Sequence, residues 1–128
     1  MRSRPDALLL DEVFSPQIAV MLGDAGIDCA SAAADPALRA LDHGAIADAA
    51  LARRRVLVTN NVVDIETIRR DRLARGLGMP NLIYTDDATF PRKRGWVGRL
   101  VVALAYASTE QLTEAHGGVL WLSAPPSR

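Results

Sequence analysis

Two short apolar runs, Leu8-Leu9-Leu10 and Val56-Leu57-Val58, are each followed at once by polar residues, Asp11 in the first case and Thr59-Asn60-Asn61 in the second. A run that is apolar at every position suits a strand buried on both faces, the situation of parallel sheets covered by helices. The polar residues then emerge at the carboxyl ends of the strands, where open α/β sheets bind their ligands. Ser15-Pro16 offers an N-cap and a proline at the first helical position, Ile18, Leu22 and Ala25 follow at helical spacing, and Gly26 stops the helix. Asp28 to Ser31 reads as a second strand, Ala32 to Ala40 as a loop, and His43 to Arg54 as an alanine-rich helix leading into the strand Val56 to Thr59. A third helix is expected after Asp64, with Ile65, Ile68 and Leu73 inward, ending near Gly76 and Gly78. Asn81 to Tyr84 is a fourth strand, Thr85 to Arg94 a loop, Trp96 to about Glu114 a long helix, and Val119 to Leu122 the last strand. The alternation predicts one α/β domain over 1–128, a mostly parallel five-stranded sheet flanked by helices on both faces, with its core at about 7–122 and a short tail at 123–128.

With 128 residues the chain can bury one ordinary core, and 49% apolar content argues against disorder. No apolar run approaches the ~20 residues of a membrane helix, and the start, Met1 to Asp6, lacks the apolar region of a signal peptide, so a cytoplasmic protein is expected. The single cysteine, Cys29, rules out an internal disulfide and falls in a strand, where a buried, inert thiol is expected.

The net charge is zero, but from Arg53 to Arg99 there are 11 basic and 5 acidic residues, against 4 basic and 10 acidic elsewhere. Fourteen arginines against one lysine suit phosphate contact, because the guanidinium fork matches phosphate oxygens. The clusters containing Arg53 and Arg54, Arg69 and Arg70, and Arg92 and Arg94 are therefore candidate nucleic-acid contacts. Each cluster also has a plainer reading as a solvated surface, and Arg53 to Arg55 as a favourable helix end.

Four acidic segments fall at the same carboxyl edge: Asp11 with Glu12, Asp42, Asp64, and Asp86 with Asp87. Carboxylates gathered together repel one another unless a positive charge intervenes, and a divalent cation with oxygen ligands supplies it. Asp42 and Asp64 are also good helix N-caps, with Leu41 and Ile46, and Val63 and Ile68, spaced as hydrophobic staples. Asp86-Asp87 can simply form a turn before Phe90-Pro91. Asp11 is the firmest of the set, since the end of a central buried strand is a costly place for an unpaired carboxylate. Glu12 points away from Asp11 by strand alternation and is expected to be a solvated or hydrogen-bonding neighbour. Three aromatic or imidazole candidates carry less weight: Trp96 at a helix start suits packing better than base stacking, and neither His43 nor His116 is required for chemistry.

The succession LLLDE, a helix opened by Leu41-Asp42, VLVTNNVVDI and NLIYTDDATFPR resembles the PIN-domain superfamily, and within it the small bacterial PIN-like proteins of toxin-antitoxin pairs. The resemblance covers roughly Leu8 to Arg94. It implies a metal-dependent ribonuclease in which Asp11, Asp42 and Asp64 hold Mg²⁺ or Mn²⁺. Thr59 would hydrogen-bond a ligating carboxylate from the second rank. It implies RNA as substrate, an antitoxin protein as partner and a homodimer. The chain departs from the family pattern at Asn61, where many relatives carry a further aspartate; an amide offers a carbonyl oxygen but no charge, which lowers metal affinity. Two other readings stand beside this one: a PIN-like binding or dimerisation module without activity, and a phospho-receiver domain. The receiver would need an aspartate where Thr59-Asn60-Asn61 stands, and a lysine after the last strand, whereas the only lysine is Lys93.

Overall fold

The two apolar runs pair with each other at the centre of a parallel sheet. The computed structural model describes residues 7–107 and 117–123. In chain order the elements are β1 (Leu8–Leu10), α1 (Pro16–Asp24), β2 (Cys29–Ser31), α2 (His43–Ala52), β3 (Val56–Thr59), α3 (Val62–Ala74), β4 (Leu82–Tyr84), α4 (Trp96–Ala107) and β5 (Val119–Trp121). The strand order is β2-β1-β3-β4-β5 and every neighbouring pair is parallel, so the expected α/β architecture is present and all of its described strands run one way. In register, Leu10 faces Val58 and Thr59 faces Tyr84.

Strand alternation sorts the core into two layers. Leu8, Leu10, Val56, Val58 and Ile83 pack on one face with Ile18 and Leu22 of α1 and Leu100, Val101 and Leu104 of α4. Leu9, Leu57, Leu82 and Tyr84 pack on the other with Ile46, Ala47 and Ala50 of α2 and Ile65 of α3. The alanines of α2 keep that helix close to the sheet. Carried one residue further, the same alternation puts Asp11 and Thr59 on the α2/α3 face.

The crossovers are not all of one hand. The connection through α1 steps to one side of β1, while those through α2, α3 and α4 all step towards the other side. Connections of one hand would place α4 with α2 and α3, yet α4 packs against α1. The last crossover is therefore opposite in hand to the other three, and the Thr85–Gly95 segment carries the chain over the carboxyl edge to the α1 face. Phe90 of that segment is buried in the α1/α4 core.

Local signals in the sequence act as expected at α1: Ser15 accepts from the Gln17 N–H at 3.2 Å, Pro16 opens the helix, and Gly26 takes a φ of 86° just past its end. α3 differs from expectation. It starts at Val62, not after Asp64, so Asp64 stands in its first turn and is not its cap. Leu73, expected inward, is 40% exposed, while Ile65 is buried and Ile68 packs against the core. α4 is described to Ala107; its expected extension to Glu114, His116 and most of the 123–128 tail lie outside the described residues. Among the described residues no helix is long and apolar enough to cross a membrane.

Cys29 begins β2, and burial pushes its thiol up to about 12, with nearby Arg55 only partly offsetting this. A thiol whose pKa is higher folded than unfolded stabilises the fold below its unfolded pKa and loses that contribution as the pH rises towards the folded value. At pH 8 a maleimide reagent should therefore label native Cys29 far more slowly than it labels the denaturant-unfolded chain, as read by mass spectrometry.

Candidate functional site

Asp11 leaves the end of β1 only 8% exposed, beside the end of β3. Its Oδ2 accepts the Thr59 hydroxyl at 2.8 Å, and its Oδ1 accepts the Glu12 N–H at 2.7 Å. Thr59 is fully buried, and its Oγ1 also accepts the Asn61 N–H at 3.0 Å. That bond turns the chain into α3 and sends the Asn61 side chain towards α2, where Nδ2 stands 2.8 Å from His43 Nε2. With the amide donating, Nε2 is the acceptor and the ring proton sits on Nδ1, 3.6 Å from Asp64 Oδ2. Asp11, Thr59, Asn61, His43 and Asp64 thus form one linked polar chain across the carboxyl ends of β1 and β3 and the first turns of α2 and α3.

This is the switch point of the sheet, since the connections from β1 and β3 leave in opposite directions and open a crevice between them. Asp42 joins the same edge as the N-cap of α2, its Oδ1 accepting the Ala45 N–H at 2.7 Å. Glu12 reaches across the preceding loop to accept the Ala40 N–H at 2.8 Å, which fixes a residue held at a φ of 64° and so sets where α2 begins. Asp86 caps a turn by accepting the Thr89 N–H at 2.7 Å, as the plainer reading of Asp86-Asp87 expects. Asn61, although it is the N-cap residue of α3, makes no side-chain cap bond, because its amide is drawn to His43.

The electrostatics around Asp11 are unusual for a carboxylate so little exposed. Among the described residues no ion pair reaches it, and its partners are neutral donors. Among the described residues no group of three or more His, Cys, Asp and Glu side chains stands together as a ready metal cage. The donors that are present, carboxylates and an amide, are the hard oxygen ligands that Mg²⁺ and Mn²⁺ take.

A second network lies beside this one. The Tyr84 hydroxyl donates to Glu66 Oε1 at 2.7 Å, and Glu66 Oε2 accepts from Arg69 and Arg70 at 2.9 and 3.0 Å. Burial pushes the Glu66 carboxyl up, but Tyr84 and the two arginines outweigh it and leave the group below its ordinary value. Burial and Glu66 together hold the Tyr84 phenol well above its ordinary range. Two open clefts of about 320 and 300 Å³ share Val62 and Trp121; the first is lined also by Asn61, Thr85, Asp86 and Asp87, the second by Glu66, Arg69, Arg70 and Tyr84.

The arginine candidates separate by location. Arg53 and Arg54 follow the C-terminal end of α2, which lies towards the amino edge of the sheet, away from Asp11, and Arg53 pairs with Asp35 at 3.1 Å. Arg69 and Arg70 lie along α3 in the Glu66 network. Arg92 belongs to the segment crossing the carboxyl edge, stacked 4.0 Å from the Trp96 ring centroid and 5.7 Å from that of Phe14. Trp96 is accordingly a packing residue. Arg94 and Lys93 are exposed on the same crossing segment, and among the described residues neither takes part in an ion pair.

Sequence reasoning weighed His43 and set it aside as not required for chemistry, although its place directly after the Asp42 cap marks it for the carboxyl edge. It passed over Trp121, which ends β5 at that edge just as Asp11 follows β1. Comparison with protein-family models, with curated proteins and with solved structures finds no match for this chain.

Three outcomes follow from these bonds. Thr59→Val, which strands a donor-poor Asp11, should cost about 1–3 kcal/mol in urea unfolding. Asp42→Ala should cost about 1 kcal/mol and Asp42→Asn much less, since an asparagine still caps the helix. Because Glu66 is depressed, its contribution is present above its unfolded value near 4.5 and is lost as the pH falls through the lower folded value. Thermal unfolding of Glu66→Gln should accordingly depend less on pH than the parent below about pH 4.5.

Proposed function

We propose that this chain is a divalent-metal-dependent ribonuclease that hydrolyses RNA phosphodiester bonds at the carboxyl edge of its sheet, in the manner of the PIN-like toxins its motifs resemble. The observation that carries the reading is Asp11, a nearly buried carboxylate at the switch point with only neutral donors around it. Desolvating a carboxylate without a counter-charge is costly, and a cation bound there would offset that cost. Asp11 and Asp64 would hold the ion, with Asp42 as a further carboxylate and the Asn61 carbonyl in place of the family's additional aspartate. Asp64 is 57% exposed at its side chain, and such surface side chains change rotamer within nanoseconds, which suits a ligand set that closes on binding.

A bound Mg²⁺ or Mn²⁺ supplies Lewis acidity and neutralises charge on the phosphate. The chain's own residues do the rest. Thr59 holds Asp11 in one rotamer through Oδ2, and His43 holds Asn61. Arg94 and Lys93, on the crossing segment at the same edge, would contact the RNA backbone, where a guanidinium meets phosphate oxygens in pairs. The toxin role, an antitoxin covering the acidic edge, a homodimer and a cytoplasmic setting belong to this reading and rest on the resemblance.

A second reading, a PIN-like binding module without hydrolysis, is favoured by the engagement of Asn61 with His43 and by the absence, among the described residues, of a three-ligand cluster. Incubating a mixed RNA pool with the protein in Mn²⁺, in Mg²⁺ and in chelator separates the two. Cleavage should require metal and fall roughly a hundredfold or more in Asp11→Asn, with the variant still folded. No cleavage by folded, metal-supplied protein would leave the binding module standing.

A further inference from the structure

We infer that Trp121 is a stacking platform for one unpaired nucleobase, which makes single-stranded RNA, rather than duplex, the ligand of this edge; the inference deepens the ribonuclease reading. Trp121 is 55% exposed although it ends a strand of the sheet, which leaves indole surface open to a ligand at the carboxyl edge. It is also held in place. Its ring meets Tyr84 edge-on, with centroids 5.2 Å apart and planes at 76°. Tyr84 is itself buried and tied through its hydroxyl to Glu66, which Arg69 and Arg70 grip in turn. A T-shaped contact with Tyr84 occupies at most one face of the indole, so it leaves the other to a base.

The surroundings match a nucleotide on two counts. Trp121 stands between the two clefts, so a base stacked on it would place its neighbouring phosphates towards Asn61 and Asp86 on one side and towards Arg69 and Arg70 on the other. Arg70 is 78% exposed and engages Glu66 through Nε, leaving the outer part of its guanidinium at the surface for phosphate. Of the residues proposed to hold the cation only Asn61 lines the first cleft, whereas the second carries Arg69 and Arg70. A base inside a duplex is already stacked on its neighbours and cannot reach such a platform, whereas single strands gain about 1–3 kcal/mol per base stacked on an aromatic side chain.

Binding measured in chelator tests this apart from cleavage. The anisotropy of a fluorescein-labelled single-stranded RNA octamer should report binding by the parent protein that weakens roughly five- to a hundredfold in Trp121→Ala and only a few-fold in Trp121→Phe. The same sequence as a duplex should bind more weakly than the single strand. The chain has two tryptophans, so in Trp96→Phe the remaining emission comes from Trp121 alone and should be quenched by the octamer, a readout that does not depend on Trp121→Ala folding. Equal affinity of parent and Trp121→Ala for the octamer, no binding by the parent, or emission that shifts with protein concentration but not with RNA would each overturn the inference. Metal-dependent cleavage that Trp121→Ala leaves intact, with unchanged octamer binding, removes the platform and keeps the ribonuclease. Trp121-dependent binding without any cleavage keeps the platform and removes the ribonuclease.

Discussion

The parallel pairing of β1 with β3 places everything else at the carboxyl edge. Leu10 stands opposite Val58, so the next step along each strand brings Asp11 beside Thr59, on the face covered by α2 and α3. Because side chains alternate with a period of two, a slip of one residue would turn Asp11 towards the α1/α4 core and set Leu10 against Thr59. Both strands are buried throughout, so that slip would also exchange the two apolar layers, and the core itself enforces the register that aims the carboxylate. The Thr59 hydroxyl then does double service, donating to Asp11 on one side and accepting the Asn61 N–H on the other.

The reversed hand of the last crossover bears on the same edge. Had α4 joined α2 and α3, the chain leaving β4 could have turned directly down that face. Instead it crosses the top of the sheet to reach α1, and the crossing segment brings Asp86, Asp87, Lys93 and Arg94 to the carboxyl edge. Phe90 in the core and Arg92, sandwiched with Phe14 and Trp96, anchor the crossing at its far side. Asp86 stabilises the near side as a turn, so the acids there have structural work to do before any ligand arrives.

Much of this was legible in the residues. Apolar runs with polar ends located β1, β3 and β4, which are buried at every position, while the edge strands β2 and β5 are only partly buried and carry that pattern less fully. Ser15-Pro16 and Asp42 announced two helix starts through backbone capping, a local effect that sequence carries faithfully. The start of α3 was misjudged because Asn61 and Asp64 are both cap residues by type, and what turns the chain at Asn61 is its N–H bond to a Thr59 hydroxyl held by Asp11 from a different strand, which no local pattern encodes. Leu73 fits the helical period but faces outward because the core is satisfied by Ile65 and Ile68 one and two turns earlier. The reversed crossover ran against the usual hand, so connection rules alone would have put α4 on the wrong face.

The uneven charge along the chain illustrates how a sequence average can mislead. Three arginines of the basic stretch, Arg53, Arg55 and Arg72, pair with Asp35, Asp28 and Asp48, all from the acidic remainder. Arg55 also donates to the Leu8 carbonyl and Arg72 to that of Gly44, so these cations tie elements together and are not offered to a partner. Arg69, Arg70 and Arg75 are matched within α3 by Glu66 and Asp71. The apparent basic surplus is therefore largely internal stitching. Beyond it, Lys93 and Arg94 on the crossing segment and Arg99 in the first turn of α4 are exposed and take part in no ion pair among the described residues. None of the paired arginines compensates Asp11, and a site rich in arginine nearby in sequence still presents a carboxylate without a cation. That separation is what the proposed metal would answer, and in the proposed reading the exposed indole of Trp121, rather than a broad basic surface, would hold the nucleic acid in place.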